Sequence, residues 1–592
     1  MADRTAFLES HQAKAEKNAA HFKQRLRLIS WLRLILISLL LLLSYWAMQS
    51  DGNPSLLWAW AFGIPAFLIM VRLYEDLKEK MRFQEAKAKL CSEELSARKG
   101  ELPRTAFERK STANHNFARE LDLFGAASLH HHINRAWTKA GAEALAQEME
   151  NPPYQDWQER QAFFKELEAD PEWNLDYRAQ GECGETKSGL IQIFKDWEQS
   201  QFKAFPIWYW PLMIAGILGV WATLYILIRE PITAHFQWFM YALSFNLVLL
   251  GTRSKVLRAQ QAQLSKVSEV LEAYAKLLDR LEKYSFQSVY GNSFKAGFKL
   301  DQGVGKKLKQ LSALLNSLDQ SANVVALFVL NGLFHYHLFR LRALQQWHQK
   351  YVSELEPWLN GLHQFEAYLS IANYHLNVED FAWPKLTDEC QFEASEMGHP
   401  LISAQQRVSN DLGLGEEQYI ILTGSNMSGK STFLRSIGVN MILAQMGAKV
   451  CAREMKLYPF QLLCSMNPQD DLRSETSYFQ AEILRLSGLL KQLNPRRQSF
   501  FLLDEILRGT NSDDKQSGTR KFLQKIEGAP AWGIIATHDV DIAHMADENP
   551  NFRAAYFESR VKDDDLIFDY KLRAGICKTP NASLLMKRYG LI

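Results

Sequence analysis

Nine consecutive residues constrain this chain more than any others: Gly424, Ser425, Asn426, Met427, Ser428, Gly429, Lys430, Ser431 and Thr432. An apolar run, 419–422, precedes them and predicts a buried strand; a helical pattern follows from Ser431 to about Met446. The spacing fits G-x-x-x-x-G-K-[ST], the loop that cradles phosphates between a strand and a helix. Glycines let the backbone turn tightly, so that its N–H groups face a polyphosphate. The helix N-terminus adds partial positive charge. Lys430 would reach the β- and γ-phosphates, and Ser431 would hold Mg²⁺. The competing reading is a chance match in a Gly/Ser loop; the strand before it and the helix after it weigh against that.

A second apolar strand, 499–503, ends in Asp504 and Glu505. That is where a phosphate-loop ATPase places its Mg²⁺ aspartate, so Asp504 is the expected metal ligand. Glu505 is placed to activate the attacking water. A third strand, 532–536, ends in Thr537 and His538. A polar group there can sense the γ-phosphate. Together these residues predict an α/β domain that uses ATP and Mg²⁺.

The chain has 592 residues, enough for several domains, and a net charge of +2, which gives no global basic signature for nucleic acid. Its six cysteines, Cys91, Cys183, Cys390, Cys451, Cys464 and Cys577, form no C-x-x-C, as in a reducing compartment without a zinc site. His130 to His132 and the pair His335 and His337 lack cysteine or carboxylate clusters at ligand spacing. No stable metal other than Mg²⁺ with nucleotide is expected.

Upstream, residues 1–28 are polar and charged and predict a cytoplasmic helix. Two apolar runs follow, 28–48 and 56–73, joined by the turn Asp51, Gly52, Asn53, Pro54; Arg33 alone interrupts the first. Each is near the ~20 residues that cross a ~30 Å hydrocarbon core. A second pair, 206–228 and 236–250, is joined by Arg229, Glu230 and Pro231, and Ser244 and Asn246 lie in its returning stretch. Two membrane hairpins are thus expected, with buried helices of a soluble domain as the alternative for the second. Lys and Arg crowd the outer flanks of both pairs and are nearly absent from their connecting loops. By the positive-inside rule, both hairpins place their ends in the cytoplasm. The expected location is the inner, cytoplasmic membrane, multi-pass, with the ATPase domain on the cytoplasmic side. A further apolar run, 324–339, contains Asn331, His335 and His337 and predicts one buried helix.

The resulting fold class is multidomain: helical membrane hairpins and a helical core and lever region, followed by an α/β phosphate-loop ATPase domain of the ABC-like kind. The expected boundaries are 1–28 (N-terminal helix), 29–74 (first hairpin), 75–205 (helical core), 206–253 (second hairpin), 254–399 (lever helices) and 400–592 (ATPase domain).

Several segments resemble one family, the MutS DNA mismatch-repair ATPases, relatives of the ABC ATPases. The loop 424–432 carries that family's Asn-Met. Asp470-Asp471-Leu472 and then Ser477-Tyr478-Phe479-Gln480-Ala481-Glu482 resemble its D-D-L and S-T-F-x-x-E. Residues 502–510 resemble L-L-D-E-x-x-R-G-T, Ala536-Thr537-His538 matches A-T-H, and 570–590 is similar to the closing segment. More faintly, 121–145 with Thr138 and Gly141 look like the family's helical core, continued by 160–162; 362–372 looks like its lever helix. The sequence also departs from the pattern. Nothing corresponds to the mismatch-reading Phe-x-Glu wedge, Leu507 replaces a glycine before Arg508, and Arg407 stands where an aromatic usually covers the adenine. Either the Arg407 plane or Val408 would pack on the base.

The resemblance implies a homodimer whose chains complete each other's ATP sites. Lys430, Ser431 and Asp504 would bind Mg-ATP, and Ser477 would meet the γ-phosphate from the facing chain. Glu505 would polarise water and His538 would position it. The function expected is a membrane-anchored, ATP-gated dimer acting on mismatched or branched DNA. The alternative is a membrane mechanochemical ATPase that acts on the bilayer or a protein partner and does not bind DNA. A third reading, a scaffold that binds ATP without turnover, is opposed by Glu505.

Overall fold

A computed structural model of the chain describes residues 4–49, 55–101, 107, 115, 117–184, 189–200, 202, 205–206, 208–264, 267–319, 324–425, 427–466, 478–494, 496–508, 510–562 and 565–576. It divides into two compact units, one from 1–95 and 170–365, the other from 96–169 and 366–592.

The first unit is helical. Helix α1, Arg4–Gln49, runs unbroken from the polar N-terminal stretch into the apolar one, and α2, Ser55–Arg98, returns beside it. The polar halves have a core of their own, where Leu8 meets Leu90, Cys91, Leu175 and Ala179. A buried ion pair between Glu94 and Arg178, 2.8 Å, lies in the same unit. The apolar halves meet along their near faces. Gly63 admits Leu40, whose methyls stand 2.8 Å from the position a Cβ would take, and Trp60 Nε1 donates to Ser44 Oγ at 2.9 Å. Their outer faces are bare: Trp31, Leu42, Trp46 and Phe62 are each more than 60% exposed. Arg33 rests its guanidinium over the rings of Phe67 and Tyr74, 5.2 and 5.3 Å away, which accommodates a charge at the start of an apolar run.

Helices α3, Tyr209–Arg229, and α4, Thr233–Gln263, form a second pair with exposed Trp238, Tyr241 and Val248. Asn246, at the middle of α4, is fully buried, and its side-chain amide donates to Gly216 O (3.2 Å) and Gly332 O (2.6 Å). Gly216 is required there, because a Cβ would lie 2.1 Å from Asn246 Oδ1. Gly332 belongs to α5, Val324–Phe334, which packs against α3 and α4. This corrects the expectation of one buried helix over 324–339. The chain breaks at His335, whose φ is +50°, and restarts as α6, Tyr336–Tyr351. The Asn331 side chain accepts from His337 N at 2.9 Å, so it satisfies an amide at the start of α6. Nor is α5 buried all round: Phe328, Val329 and Phe334 are about half exposed. Among the described residues, Arg4–Trp46 and Tyr209–Arg229 are long and apolar enough to cross a membrane.

Helix α7, Leu355–Asn377, supplies its residues from Glu366 onward to the second unit. Glu366, wholly buried, accepts from the backbone N–H and hydroxyl of Thr138. Gly141 lets it approach, since a Cβ would stand 2.3 Å from Glu366 Oε2. Thr138 and Gly141 thus owe their identities to one buried carboxylate. The α/β part holds two sheets. The smaller, in order β1-β5-β2-β3, is built from β1 (Lys385–Leu386), β2 (Phe392–Met397), β3 (Asn410–Leu414) and β5 (Glu454–Leu457). The larger has the order β10-β9-β4-β8-β7-β6, with β4 Tyr419–Gly424, β6 Gln461–Ser465, β7 Ser499–Asp504, β8 Ala531–Ala536, β9 Phe552–Lys562 and β10 Asp565–Ala574. All its pairs are parallel except β9 with β10. Every residue of β4, β7 and β8 is buried, which is why these strands are continuous apolar runs. Helices α8 (Lys430–Gln445), α9 (Tyr478–Lys491) and α10 (Ser512–Glu527) complete the layer.

Candidate functional site

Sheet order does the assembling. Strand β8 lies between β4 and β7, and all three are parallel, so their carboxyl ends open on one edge. Ligands of open α/β sheets bind outside that edge. Gly424 ends β4 with φ +150°, Met427 has φ +66°, and Gly429 has φ +99° immediately before α8. The two glycines are where the loop needs backbone freedom. A Cβ on Gly429 would lie 2.9 Å from the ring of Tyr570.

Lys430 is buried and its Nζ donates to Gly424 O (2.9 Å) and Ser425 O (3.0 Å). His538, just beyond β8, shares Gly424 O through Nδ1 at 2.7 Å and contacts Glu505 Oε1 through Nε2. Ser431 Oγ donates to Asp504 Oδ2. Asp504 Oδ1 is buried with no partner. Burial pushes the Asp504 carboxyl up, and the Ser431 hydrogen bond only partly opposes it. Glu505 moves the other way: burial raises it, but the hydrogen bond and charge of His538, with Arg508 and Lys430, outweigh that and hold it below the ordinary glutamate value. Arg508 Nε lies 3.0 Å from Glu505 Oε2. Residues from five segments thus enclose a cleft of about 570 Å³, lined by Val408, Asn410, Lys430, Ser431, Glu505 and Tyr570 among others.

The structure therefore brings together Gly424, Ser425, Met427, Ser428, Gly429, Lys430, Ser431, Thr432, Val408, Asp504, Glu505 and His538. Asn426 and Ser477 lie outside the described residues. Residues 420–584 match the family described as MutS domain V. Residues 420–584 are thus a MutS domain V. The chain is similar to the DNA mismatch repair protein MutS of Chloroflexus aurantiacus, 28% identical over 243 residues, which are 38% of this chain and 25% of that protein. The DNA mismatch repair protein MSH4 of Arabidopsis thaliana is 29% identical over 213 residues, 35% of this chain and 27% of its own length. MutS of Dinoroseobacter shibae is 32% identical over 223 residues, 36% and 25%. The chain spans about a quarter of the length of these curated relatives.

Where the sequence departs from the MutS pattern, the structure gives local reasons. Arg407 does not face the cleft. Its guanidinium lies over the Phe381 ring at 5.3 Å and pairs with Asp380, which leaves Val408 on the cleft wall. Leu507 adopts φ +62°, a left-handed conformation in which glycine is unstrained, and its side chain joins the core formed by Leu486, Leu503 and Leu523. Reasoning from sequence missed the part played by Tyr570. It reaches the cleft from the β9–β10 hairpin, at φ +55°, held there by Asn410 Nδ2 donating to its carbonyl at 2.9 Å. An aromatic in a family-like closing segment was the signal available. Its contact with Gly429 depends on a pairing irregularity between Phe568 and Leu572 that no motif records.

Proposed function

We propose that residues 400–592 bind and hydrolyse ATP with Mg²⁺, in a homodimer anchored in the inner, cytoplasmic membrane, and that DNA is the ligand which the ATP cycle controls. The observation that carries the hydrolysis reading is the convergence of Lys430, Ser431, Asp504, Glu505 and His538 at one sheet edge, beside a glycine-bounded loop that opens a helix. The amides of that loop and the start of α8 would receive the phosphates. Lys430 would exchange the two carbonyls it now holds for charge-assisted bonds to phosphate oxygens. Ser431 and Asp504 fit Mg²⁺: a hydroxyl beside a carboxylate with one buried, unpartnered oxygen is a hard-oxygen donor set. The cation there would offset the charge of the phosphate oxygens.

Glu505, held ionised by His538 and Arg508, would take the proton of the attacking water, and His538 would keep that carboxylate aimed. Tyr570 and Val408 would flank the base. Ser477 would act across the dimer. The bare apolar faces of α1 and α2 and of α3 and α4 support the membrane anchor, in two hairpins with the ATPase domain in the cytoplasm. The names of the relatives support DNA as the ligand.

The test is ATPase activity of the detergent-purified chain, with and without Mg²⁺, alongside its binding to homoduplex, mismatched and four-way DNA at rising salt. DNA binding should weaken steeply as salt rises, because phosphate contacts release counterions. A second reading, a membrane ATPase acting on lipid or protein, is favoured by the extent of exposed aromatic surface on α3 and α4. It predicts salt-insensitive activity and no DNA binding.

A further inference from the structure

Glu482 is almost wholly buried, on the second turn of α9, and faces the turn that follows β7. Its Oε1 accepts from Leu507 N at 2.5 Å and its Oε2 from Arg508 N at 3.0 Å. The turn it holds is unusual. Glu505 has φ +47° and Leu507 φ +62°, both in the left-handed region that favours glycine, and neither is glycine. Two such residues in one four-residue turn persist only where the surroundings over-determine them. Three contacts do so here. Glu482 takes two successive amides. The Leu507 side chain is driven into the core, where Gly518 of α10 leaves it room: a Cβ there would lie 2.8 Å from Leu507 Cδ1. Arg508, whose backbone N–H Glu482 holds, donates from Nε back to Glu505 O at 3.1 Å and meets Glu505 Oε2.

We propose that Glu482 is a positioning residue for hydrolysis: it clamps the left-handed turn 505–508 and so aims the Glu505 carboxylate, without touching nucleotide itself. The inference rests on the hydrolysis reading above. Burial pushes the Glu482 carboxyl up, and the two amides, with the charges of Arg508 and Lys515, only partly oppose it. One consequence is a mechanical link. Helix α9 starts at Tyr478, one turn before Glu482, so a force on its N-terminal end reaches Glu505 through Glu482.

The experiment compares wild type, Glu482→Gln, Glu482→Ala and Glu482→Ala/Leu507→Gly, as full chains in detergent. It reads kcat, affinity for a fluorescent ATP analogue, and Tm. Affinity should stay within about twofold throughout, because the Lys430 loop is untouched, while kcat falls from glutamate to glutamine to alanine, by about 10²-fold at alanine. Adding Leu507→Gly relaxes the turn and should recover much of that kcat, although losing the leucine lowers Tm further. A rate and a stability that move in opposite directions are what a merely structural glutamate would not give. Wild-type kcat in Glu482→Ala, or parallel loss of affinity, kcat and Tm with no recovery in the double variant, overturns the inference alone. A wild-type chain that binds ATP and never hydrolyses it overturns the hydrolysis reading, and this inference with it.

Discussion

Ser431 Oγ donates its hydrogen bond to the Asp504 carboxylate, joining the first turn of α8 to the end of β7 across 73 residues of sequence. The pair leaves Asp504 Oδ1 buried and unpartnered, so a hydroxyl and a free oxygen stand ready beside the loop.

Ser431→Ala should raise the Mg²⁺ concentration needed for half-maximal ATPase activity and cut kcat/KM, because the carboxylate keeps its burial but loses its donor. Glu505→Gln should retain nucleotide and lose turnover by about 10²-fold or more, since an amide cannot take the water's proton. Lys430→Ala should lose nucleotide binding itself. Equilibrium binding and steady-state rates on the three variants separate these outcomes; wild-type turnover in Glu505→Gln would reassign the base.

Mixing Lys430→Ala with Ser477→Arg should restore part of the activity that each lacks alone. Each mixed dimer then has one site with both residues intact. If Ser477 served its own chain, every site would carry one lesion and no mixture would recover, given subunit exchange shown by separately labelled chains.

Carbonate washing should leave the chain in the membrane pellet. A cysteine placed within 49–55 should react with an impermeant reagent added from outside, whereas Cys451 should not, being buried in the second unit. Release of intact chain into the wash would remove the membrane anchor from the reading.

Stability should fall as pH drops from about 6.5 toward about 4. Burial holds His132, His363 and His399 at about 4, against 6.5 for the unperturbed side chain. In that window the unfolded chain binds protons that the folded chain refuses, so protonation favours unfolding, by up to about 1.4 kcal/mol per histidine per pH unit. Chemical denaturation at about pH 7 and about pH 5 measures it; equal midpoints would show that these histidines gain protons without unfolding.

Gly141→Ala should lower Tm with little change in ATP affinity. A Cβ there collides with the Glu366 carboxylate, and overpacking of this kind costs about 1–3 kcal/mol.

The cleft was legible in the sequence because its chemistry is local. The glycine-bounded loop, the acidic pair after 499–503 and His538 after 532–536 each sit at a strand end, and parallel pairing of β4, β8 and β7 makes strand ends neighbours. What was illegible depends on contacts between distant residues. Whether Arg407 or Val408 lines the cleft is decided by Asp380 and Phe381, which capture the arginine. Tyr570 enters through a local pairing shift in a hairpin. The break at His335 lies inside a continuous apolar run, where periodicity has no contrast to report.

Asn246 carries one more consequence. Its amide needs a carbonyl on α3, 30 residues earlier, and another on α5, 86 residues later. Until residue 332 has been synthesised and has arrived, one N–H of the Asn246 amide lacks the carbonyl that takes it in the folded chain, which costs about 1–3 kcal/mol wherever that group is already shielded from water. The packing of α3 on α4 is therefore finished late in the life of the nascent chain, and it waits on α5.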